Sequence, residues 1–252
     1  MTHAIPSRTK CIRGFTLVEL LVVMAIIAIL AGLVLTTLGR AKNSASKVTD
    51  INNLRQIMIA VHAFASDNND IPPQPNWDNG GHIGGYGDFT NAGWLYTPDL
   101  TATGTNRFKA QTGVLWSSLG NPKLYLCPMD KPEKAVYSAH DGQVEQRAQQ
   151  LSSYAMNGAV VGFMKILPTP VKLSSLQPDD CAFWETDETE PYYFNDGANN
   201  PGEGVSARHL QGAIQASFSG TVDYVKFDKW YEAESDPKKN RLWCYPDSDN
   251  GR

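Results

Sequence analysis

The sequence predicts an α+β protein in which one long N-terminal helix carries a globular head built on an antiparallel β-sheet. Three features support this fold class. Residues 20–38 form a run of 19 residues without a charged side chain. The apolar spacing of a helix continues beyond that run, and a β-hairpin pattern lies near the C-terminus.

The predicted helix covers residues 15–70 and begins with its most apolar part. At about 1.5 Å per residue, the uncharged run can cross most of a ~30 Å hydrocarbon core, so we predict a transmembrane segment at about residues 17–38. Further on, apolar residues recur at spacings of three and four, the period of one helix face. They are Ala41, Ala45, Val48, Ile51, Leu54, Met58, Val61 and Ala65. The polar residues between them, Asp50 and Asn53 included, are expected to face water.

The helix is expected to stop at residues 67–70, where Asp-Asn-Asn-Asp precedes the segment Ile-Pro-Pro-Gln-Pro. The rest of the chain, residues 71–252, forms the predicted head. Its clearest element is a hairpin with strands at 213–218 and 221–227 around Ser219-Gly220. The other expected strands are 123–127, 154–161, 172–176 and 182–185, and the expected short helical segments are 113–119, 143–150 and 228–234.

The string RGFTLVE, residues 13–19, stands at the entrance of the apolar run. Followed by an apolar helix, it resembles the processing site of type IV prepilins and type II secretion pseudopilins. The resemblance implies a leader of residues 1–14, cleavage after Gly14 by a prepilin peptidase, and N-methylation of Phe15. It also implies a pilin-like fold, with the head packed on the soluble upper half of the helix.

Glu19 is the fifth residue of the implied mature chain, the position that helps to dock one subunit onto another in this family. Elementary electrostatics supports such a role, because cleavage leaves a cationic amine on Phe15, one helical turn from Glu19. Two opposite charges that leave water are costly unless they pair. The Glu19 of one chain could neutralise the amine of its neighbour and set the axial register.

The resemblance implies a structural subunit of a type IV pilus or of a type II secretion pseudopilus, and not an enzyme. The implied partners are the prepilin peptidase, other pilin or pseudopilin subunits in a filament, and an inner-membrane assembly platform. The implied location is the inner membrane, crossed once with the head outside the cytoplasm, and then a periplasmic or surface filament. Basic residues flank the apolar run equally on both sides, so this orientation depends on the resemblance.

The charge balance argues against a nucleic-acid partner. The formal net charge is −4. The leader carries Arg8, Lys10 and Arg13 without an acidic residue, so its removal takes the balance to −7. A nucleic-acid binder normally carries a basic stripe, and the sequence contains none.

Two other functional classes stay open. The first is a minor pilin that binds a surface or a glycan through the aromatic-rich segment from Trp77 to Tyr96, although pinning of that segment to the core is the favoured interpretation. The second is a membrane-anchored enzyme. Ser219, His209 and Asp223 could form a hydrolase triad, but no nucleophile-elbow pattern accompanies them, so polar residues around a hairpin are favoured.

His209, nine further residues and Ser219-Gly220 resemble a motif of large-headed prepilin-like proteins, which carry His, nine residues and then Asp-Gly. Ser219 takes the place of the Asp, so a role of that carboxylate does not carry over. Gly220 is explained by the turn alone, where a positive φ is cheap for glycine. The motif is therefore interpreted as a structural marker of the hairpin.

Loss of Cys11 with the leader would leave three cysteines, Cys127, Cys181 and Cys244. If the head is exported, one pair could be oxidised, and similar local patterns (LYLCP and LWCYP) favour Cys127 with Cys244. The cysteines form no paired CxxC motif and have no histidine cluster near them, so no zinc site is expected.

No cofactor is expected from the sequence, although Ca²⁺ stays possible because some pseudopilins hold it in a loop of the head. Residues 195–200 and 247–251 offer oxygen ligands of the kind that Ca²⁺ prefers. A solvated loop is the favoured interpretation of both stretches. No metal ligand is assigned.

Overall fold

The structure is a computed structural model that describes residues 15–76, 92–97, 99, 101–102, 108–130, 151–164, 170–187 and 197–252, apart from the side chains of Thr36 and Met164. Internal packing divides the chain into two units, Met1–Ser44 and Ala45–Arg252. Helix α1, Leu17–Asp67, contributes residues to both.

The N-terminal unit exposes the apolar part of α1. The exposed fraction of its large apolar side chains runs from 44% at Val23 to 74% at Leu17. By length and composition this helix is able to cross a membrane. Apolar surface on every side of a helix requires lipid or other protein to cover it.

Helix α1 ends at Asp67, inside the predicted stop. Asn69 and Asp70 adopt the left-handed conformation, with φ of 56° and 69°, and the Asp70 N–H donates to the carbonyl of Ala65. This bond caps a carbonyl of the last turn, as is usual at helix C-termini.

The second unit contains a five-stranded sheet in the order β3-β1-β2-β4-β5. The strands are β1 Tyr154–Asn157, β2 Cys181–Glu185, β3 Ala198–Asn199, β4 Gly212–Ser217 and β5 Val222–Lys226. The pairs β1–β2, β2–β4 and β4–β5 are antiparallel. The α+β, pilin-like fold class is thus confirmed.

The sheet is mixed and not wholly antiparallel, because β3 pairs with β1 in parallel. After β2 the chain turns back but pairs on the far side of β1, so β3 runs in the same direction as β1. A connection of about a dozen residues makes such a crossing possible.

The sheet lies between α1 and a short C-terminal helix, α3, Phe227–Ser235. On one face the main core joins Leu54, Ile57 and Met58 of α1 to the strand residues Phe183 and Ile214. On the other face a smaller core is formed by Cys181, Trp184, Val205, Ala213, Trp230 and Leu242. Strand β4 is buried along its whole length, as is usual for a strand covered on both faces.

Several predicted elements of the head are confirmed. The strand at 182–185 is β2, the hairpin is β4 with β5, and the final amphipathic turn is α3. The predicted helix at 113–119 is present as α2, Trp116–Leu119. The predicted helix at 143–150 lies outside the described residues.

Two predicted strands are wrong. The segment predicted at 123–127 contains most of a 3₁₀ helix, Pro122–Tyr125, because Pro122 favours a first helical turn and the side chain of Asn121 caps it. The segment predicted at 172–176 contains a second 3₁₀ helix, Leu173–Ser175. Both segments are short apolar runs, which periodicity cannot assign reliably.

The expectation that Asp50 and Asn53 face water is also wrong, since both are buried. Asn53 Nδ2 donates to the carbonyl of Lys123 at 3.2 Å and to that of Leu126 at 3.0 Å. This amide therefore ties α1 to the segment that follows α2.

Replacing Asn53 by Ala is expected to lower the free energy of unfolding by about 2 kcal/mol, because two hydrogen bonds of a buried amide are lost. Urea denaturation of the full-length protein in detergent, followed by tryptophan fluorescence, measures the change. Asn52→Ala is the matched control, since Asn52 is the exposed neighbour on the same helix and should cost nothing. Equal effects of the two substitutions would contradict the role given to the Asn53 amide.

Candidate functional site

The first candidate site is the start of α1. The Thr16 N–H and hydroxyl donate to Glu19 Oε2 at 2.9 and 2.7 Å, and the Glu19 N–H donates to the Thr16 hydroxyl at 3.2 Å. These reciprocal bonds form a capping box, which satisfies donors that every helix N-terminus leaves unpaired. The same carboxylate for which the resemblance implies docking therefore also caps its own helix.

Phe15 lies directly before this cap and is 72% exposed. Gly14, the predicted cleavage position, lies outside the described residues. The N-terminal segment that the sequence singles out is thus open to a processing enzyme from Phe15 onward.

The second candidate site, which we call the polar cluster, lies inside the head unit. It brings together Asp50 of α1, Glu185 at the end of β2, Cys127 and His209. All four residues are buried, and one ligand-type atom of each lies within 4.8 Å of the other three. No sequence pattern predicts this cluster, because its members are scattered over 160 positions of the chain.

The centre of the polar cluster is His209 Nε2. It lies 3.1 Å from Asp50 Oδ2, 3.4 Å from Glu185 Oε1 and 3.5 Å from Cys127 Sγ. One imidazole nitrogen thus faces three groups that can accept a hydrogen bond or bind a metal ion. Of the three contacts, the one to Asp50 is the best hydrogen bond.

The outer atoms of the acidic groups are held by further donors. The Tyr154 hydroxyl donates to Asp50 Oδ1, and the Ile214 N–H donates to Glu185 Oε2 at 2.8 Å. Arg208 extends the cluster, with Nη1 3.7 Å from Glu185 Oε1 and Nη2 3.3 Å from Asp130 Oδ2. Two cationic side chains therefore face three buried carboxylates.

The surroundings change the acid strengths of these groups. Burial raises the pKa of Asp50 to about 6, helped by the negative charge of Glu185 and opposed by the bonds from His209 and Tyr154. For His209, burial works to lower the pKa, but contact with Asp50 and Glu185 outweighs it and raises the pKa to about 9. Burial and the same two carboxylates raise the pKa of the Cys127 thiol.

For Glu185, burial works against ionisation, but contact with His209 and the charge of Arg208 outweigh it and lower the pKa. At neutral pH, and with no other ion bound, the polar cluster therefore holds a protonated His209 beside an ionised Glu185. Such an ion pair can join α1 to the sheet electrostatically. The carboxylate oxygens, the thiol sulfur and the imidazole nitrogen are also the atom types that bind metal ions in proteins.

The structure does not bring the possible hydrolase triad together. The Ser219 hydroxyl lies 2.8 Å from that of Ser217 and 3.2 Å from that of Thr221, whereas Asp223 accepts a bond from the Gln215 amide. His209 instead faces the polar cluster. Gly220 has a φ of 86°, which agrees with its predicted place in the turn.

The favoured disulfide between Cys127 and Cys244 is not formed, and Cys127, Cys181 and Cys244 are buried free thiols. Cys127 Sγ faces His209, whereas Cys244 Sγ lies 3.6 Å from the Asn157 amide nitrogen. Their similar local sequences reflect burial of the same residue types and not a covalent link.

The described part of the aromatic segment is fixed to the core. Trp94 and Tyr96 are buried, and Trp94 Nε1 donates to the carbonyl of Gly197 at 2.8 Å. Trp94 also meets Phe183 edge to face at 5.1 Å. These contacts favour the packing interpretation over ligand binding, while Trp77 lies outside the described residues.

The two stretches considered for Ca²⁺ differ in what can be said of them. Asn195 and Asp196 of the first lie outside the described residues. In the second, Asn250 Oδ1 accepts bonds from the Ser248 hydroxyl and from the Arg252 N–H, which folds the stretch back on itself. Ca²⁺ binding at either stretch stays a prediction from the sequence.

Residues 9–35 match the family described as "Prokaryotic N-terminal methylation motif". The chain therefore carries a prepilin-type signal, which indicates a pilin-like substrate of prepilin peptidase and, with the apolar helix, a membrane anchor. Comparison with curated proteins finds no match, and comparison with solved structures finds none either.

Replacing Tyr154 by Phe is expected to lower the free energy of unfolding by about 2 kcal/mol, because the buried Asp50 carboxylate loses a donor. Tyr125→Phe is the matched control. Tyr125 is equally buried, but its hydroxyl makes no hydrogen bond within the described part of the chain, so its removal should be neutral or stabilising. Denaturation as for Asn53 measures both, and a Tyr154→Phe protein as stable as the wild type would contradict the importance of this bond.

Proposed function

We propose that the protein is a structural subunit of a type IV pilus or a type II secretion pseudopilus. In this proposal the chain is cleaved after Gly14, methylated on Phe15 and assembled into a filament through α1. The single observation that carries the proposal is the prepilin-type signal at residues 9–35, which runs directly into exposed apolar helix surface.

The exposed surface of α1 supports assembly through this helix. A membrane can cover the apolar side chains of residues 17–38 before assembly, and the helices of neighbouring subunits can cover them afterwards. The free energy involved is large, because removing one large apolar side chain fully from water contributes about 1.5–3 kcal/mol. This surface therefore favours insertion into lipid or association with other helices.

Glu19 is proposed to dock each subunit by pairing with the cationic amine of Phe15 on a neighbour. The Glu19 carboxylate accepts two bonds in the capping box, from the N–H and the hydroxyl of Thr16, and both go to Oε2. A carboxylate has two oxygens and about four lone pairs, so capping and docking are compatible.

The proposed location follows from the resemblance to prepilins. The subunit is inserted into the inner membrane with its head outside the cytoplasm, and an inner-membrane assembly platform then moves it into a periplasmic or surface filament. The prepilin-type signal points to a structural pilin-like protein, and the separation of Ser219 from His209 supports a non-enzymatic role.

Processing is tested by mass spectrometry of the N-terminus after co-expression with a prepilin peptidase. The expected product begins at Phe15 and carries one methyl group on its amine. Gly14→Val, which blocks close approach of a peptidase to the backbone, should leave the leader attached. A wild-type chain that keeps residues 1–14 in the presence of an active peptidase would overturn the proposal.

Docking is tested by substitution of Glu19 and measurement of incorporation into filaments. Glu19→Gln keeps a capping acceptor but removes the charge. The variant should enter the membrane normally, but its incorporation into filaments should fall about tenfold or more. This fall is equivalent to a loss of about 1.4 kcal/mol of docking free energy.

The matched control is Thr16→Ala, which removes the capping partner and keeps the carboxylate. It should assemble nearly as well as the wild type, since an exposed cap contributes only about 1 kcal/mol to the helix. If Glu19→Gln assembles normally while Thr16→Ala fails, Glu19 acts as a cap and not as a docking charge.

A further inference from the structure

We propose that the polar cluster is a binding site for a divalent transition-metal ion of the Zn²⁺ class. The ligands are Asp50 Oδ2, Cys127 Sγ, Glu185 Oε1 and His209 Nε2. The site lies within the head unit and does not depend on the proposed role in a filament.

The distances from His209 Nε2 to the other three ligand atoms are close to those of tetrahedral coordination, and all four ligand atoms lie within 4.8 Å of one another. Bonds of about 2.0–2.1 Å to nitrogen or oxygen and about 2.3 Å to sulfur place neighbouring ligands of a tetrahedron roughly 3.3–3.6 Å apart. His209 Nε2 lies 3.1, 3.4 and 3.5 Å from the other three ligand atoms. The two oxygen contacts are the shorter and the sulfur contact is the longest, as the bond lengths require.

Hydrogen bonding alone leaves this arrangement incomplete. His209 Nε2 carries at most one proton, which can point at only one of its three neighbours. Glu185 is fully buried, and its Oε1 meets His209 Nε2 at 3.4 Å and Arg208 Nη1 at 3.7 Å, both too long for a good hydrogen bond. A buried carboxylate oxygen without a good hydrogen bond is costly, and a metal ion among the four ligand atoms reduces that cost.

Three of the four ligands are oriented by a bond that leaves room for a metal. Tyr154 binds the other oxygen of Asp50, and the Ile214 N–H binds the other oxygen of Glu185. The Met129 N–H lies 3.4 Å from Cys127 Sγ and donates to it. Outer bonds of this kind hold the ligands of metal sites in place and tune their basicity.

The donor set selects the ion. A thiolate and an imidazole suit Zn²⁺ and its neighbours, whereas Ca²⁺ takes six to eight oxygen ligands. Binding releases the Cys127 thiol proton and the Nε2 proton of His209 to solvent, so a dication replaces two protons without a change in net charge. Four buried protein ligands make a closed site, which is typical of structural and not of catalytic zinc.

The ion would join four separate parts of the head unit. Asp50 comes from α1 and Glu185 from β2, while Cys127 follows the 3₁₀ helix at Pro122–Tyr125 and His209 precedes β4. Loading with metal should therefore stabilise the packing of α1 against the sheet, because an ion that binds only the folded state shifts the unfolding equilibrium.

The test uses the full-length protein in detergent, stripped with a chelator and reloaded with Zn²⁺ or Co²⁺. We expect one Zn²⁺ per chain by elemental analysis after removal of free ion. The Co²⁺ form should show a thiolate-to-metal charge-transfer band and the intense visible bands of tetrahedral coordination. Ca²⁺ in excess should not displace either ion.

Cys127→Ser should lose the charge-transfer band, whereas Cys181→Ser, a buried thiol outside the cluster, should keep it. Because Cys127→Ser could fail to fold, a variant with Cys11, Cys181 and Cys244 all changed to Ser provides a second test. Its one remaining thiol is Cys127, so the band must persist there. Zn²⁺ should raise the melting temperature of this variant and of the wild type.

Two results would overturn the proposal. The first is a wild-type protein that takes up no stoichiometric Zn²⁺ and shows no tetrahedral Co²⁺ spectrum, which would make the polar cluster an ion-pair network only. The second is a charge-transfer band that disappears when Cys127 is the only cysteine, which would place the bound metal at another thiol.

Discussion

The burial of Asp50 is the constraint on which the packing of α1 in the head depends. A carboxylate on a helix face cannot enter a protein interior unless donors meet it there. Tyr154 and His209 supply those donors. A shift of one residue turns a helix by about 100°, so the position of this single carboxylate defines which face of α1 meets the sheet. Asn53, three residues later, reinforces the same choice.

Helix α1 serves two different environments along its length. Residues 20–38 carry no charged side chain and expose large apolar side chains on all sides. From residue 45 onward the helix has one apolar face, with Leu54, Ile57 and Met58 in the main core. Apolar contacts alone permit some sliding of a helix over a sheet. The polar contacts of Asp50 and Asn53 are directional, so they give this half of the helix a unique register.

The sequence was sufficient to predict the elements whose pattern is local. The long helix, its stop near residue 70 and the β4–β5 hairpin each follow from periodicity or turn residues within one segment. The prediction of a strand at 123–127 is wrong, because a buried 3₁₀ turn and a buried strand both give a short apolar run in the sequence. The polar cluster could not be predicted, since no spacing rule links positions 50, 127, 185 and 209. The buried acid Asp50 was itself hidden among the polar residues of an amphipathic helix.

The two ends of the segment from His209 to Gly220 lie in different surroundings and have different structural roles. His209 reaches inward to Asp50, Glu185 and Cys127, where a change of side chain would leave buried charges without a partner. At the other end, Ser219 lies in an exposed turn whose hydroxyl bonds stay within the turn, and Gly220 supplies the positive φ. The polar cluster therefore needs no carboxylate from position 219.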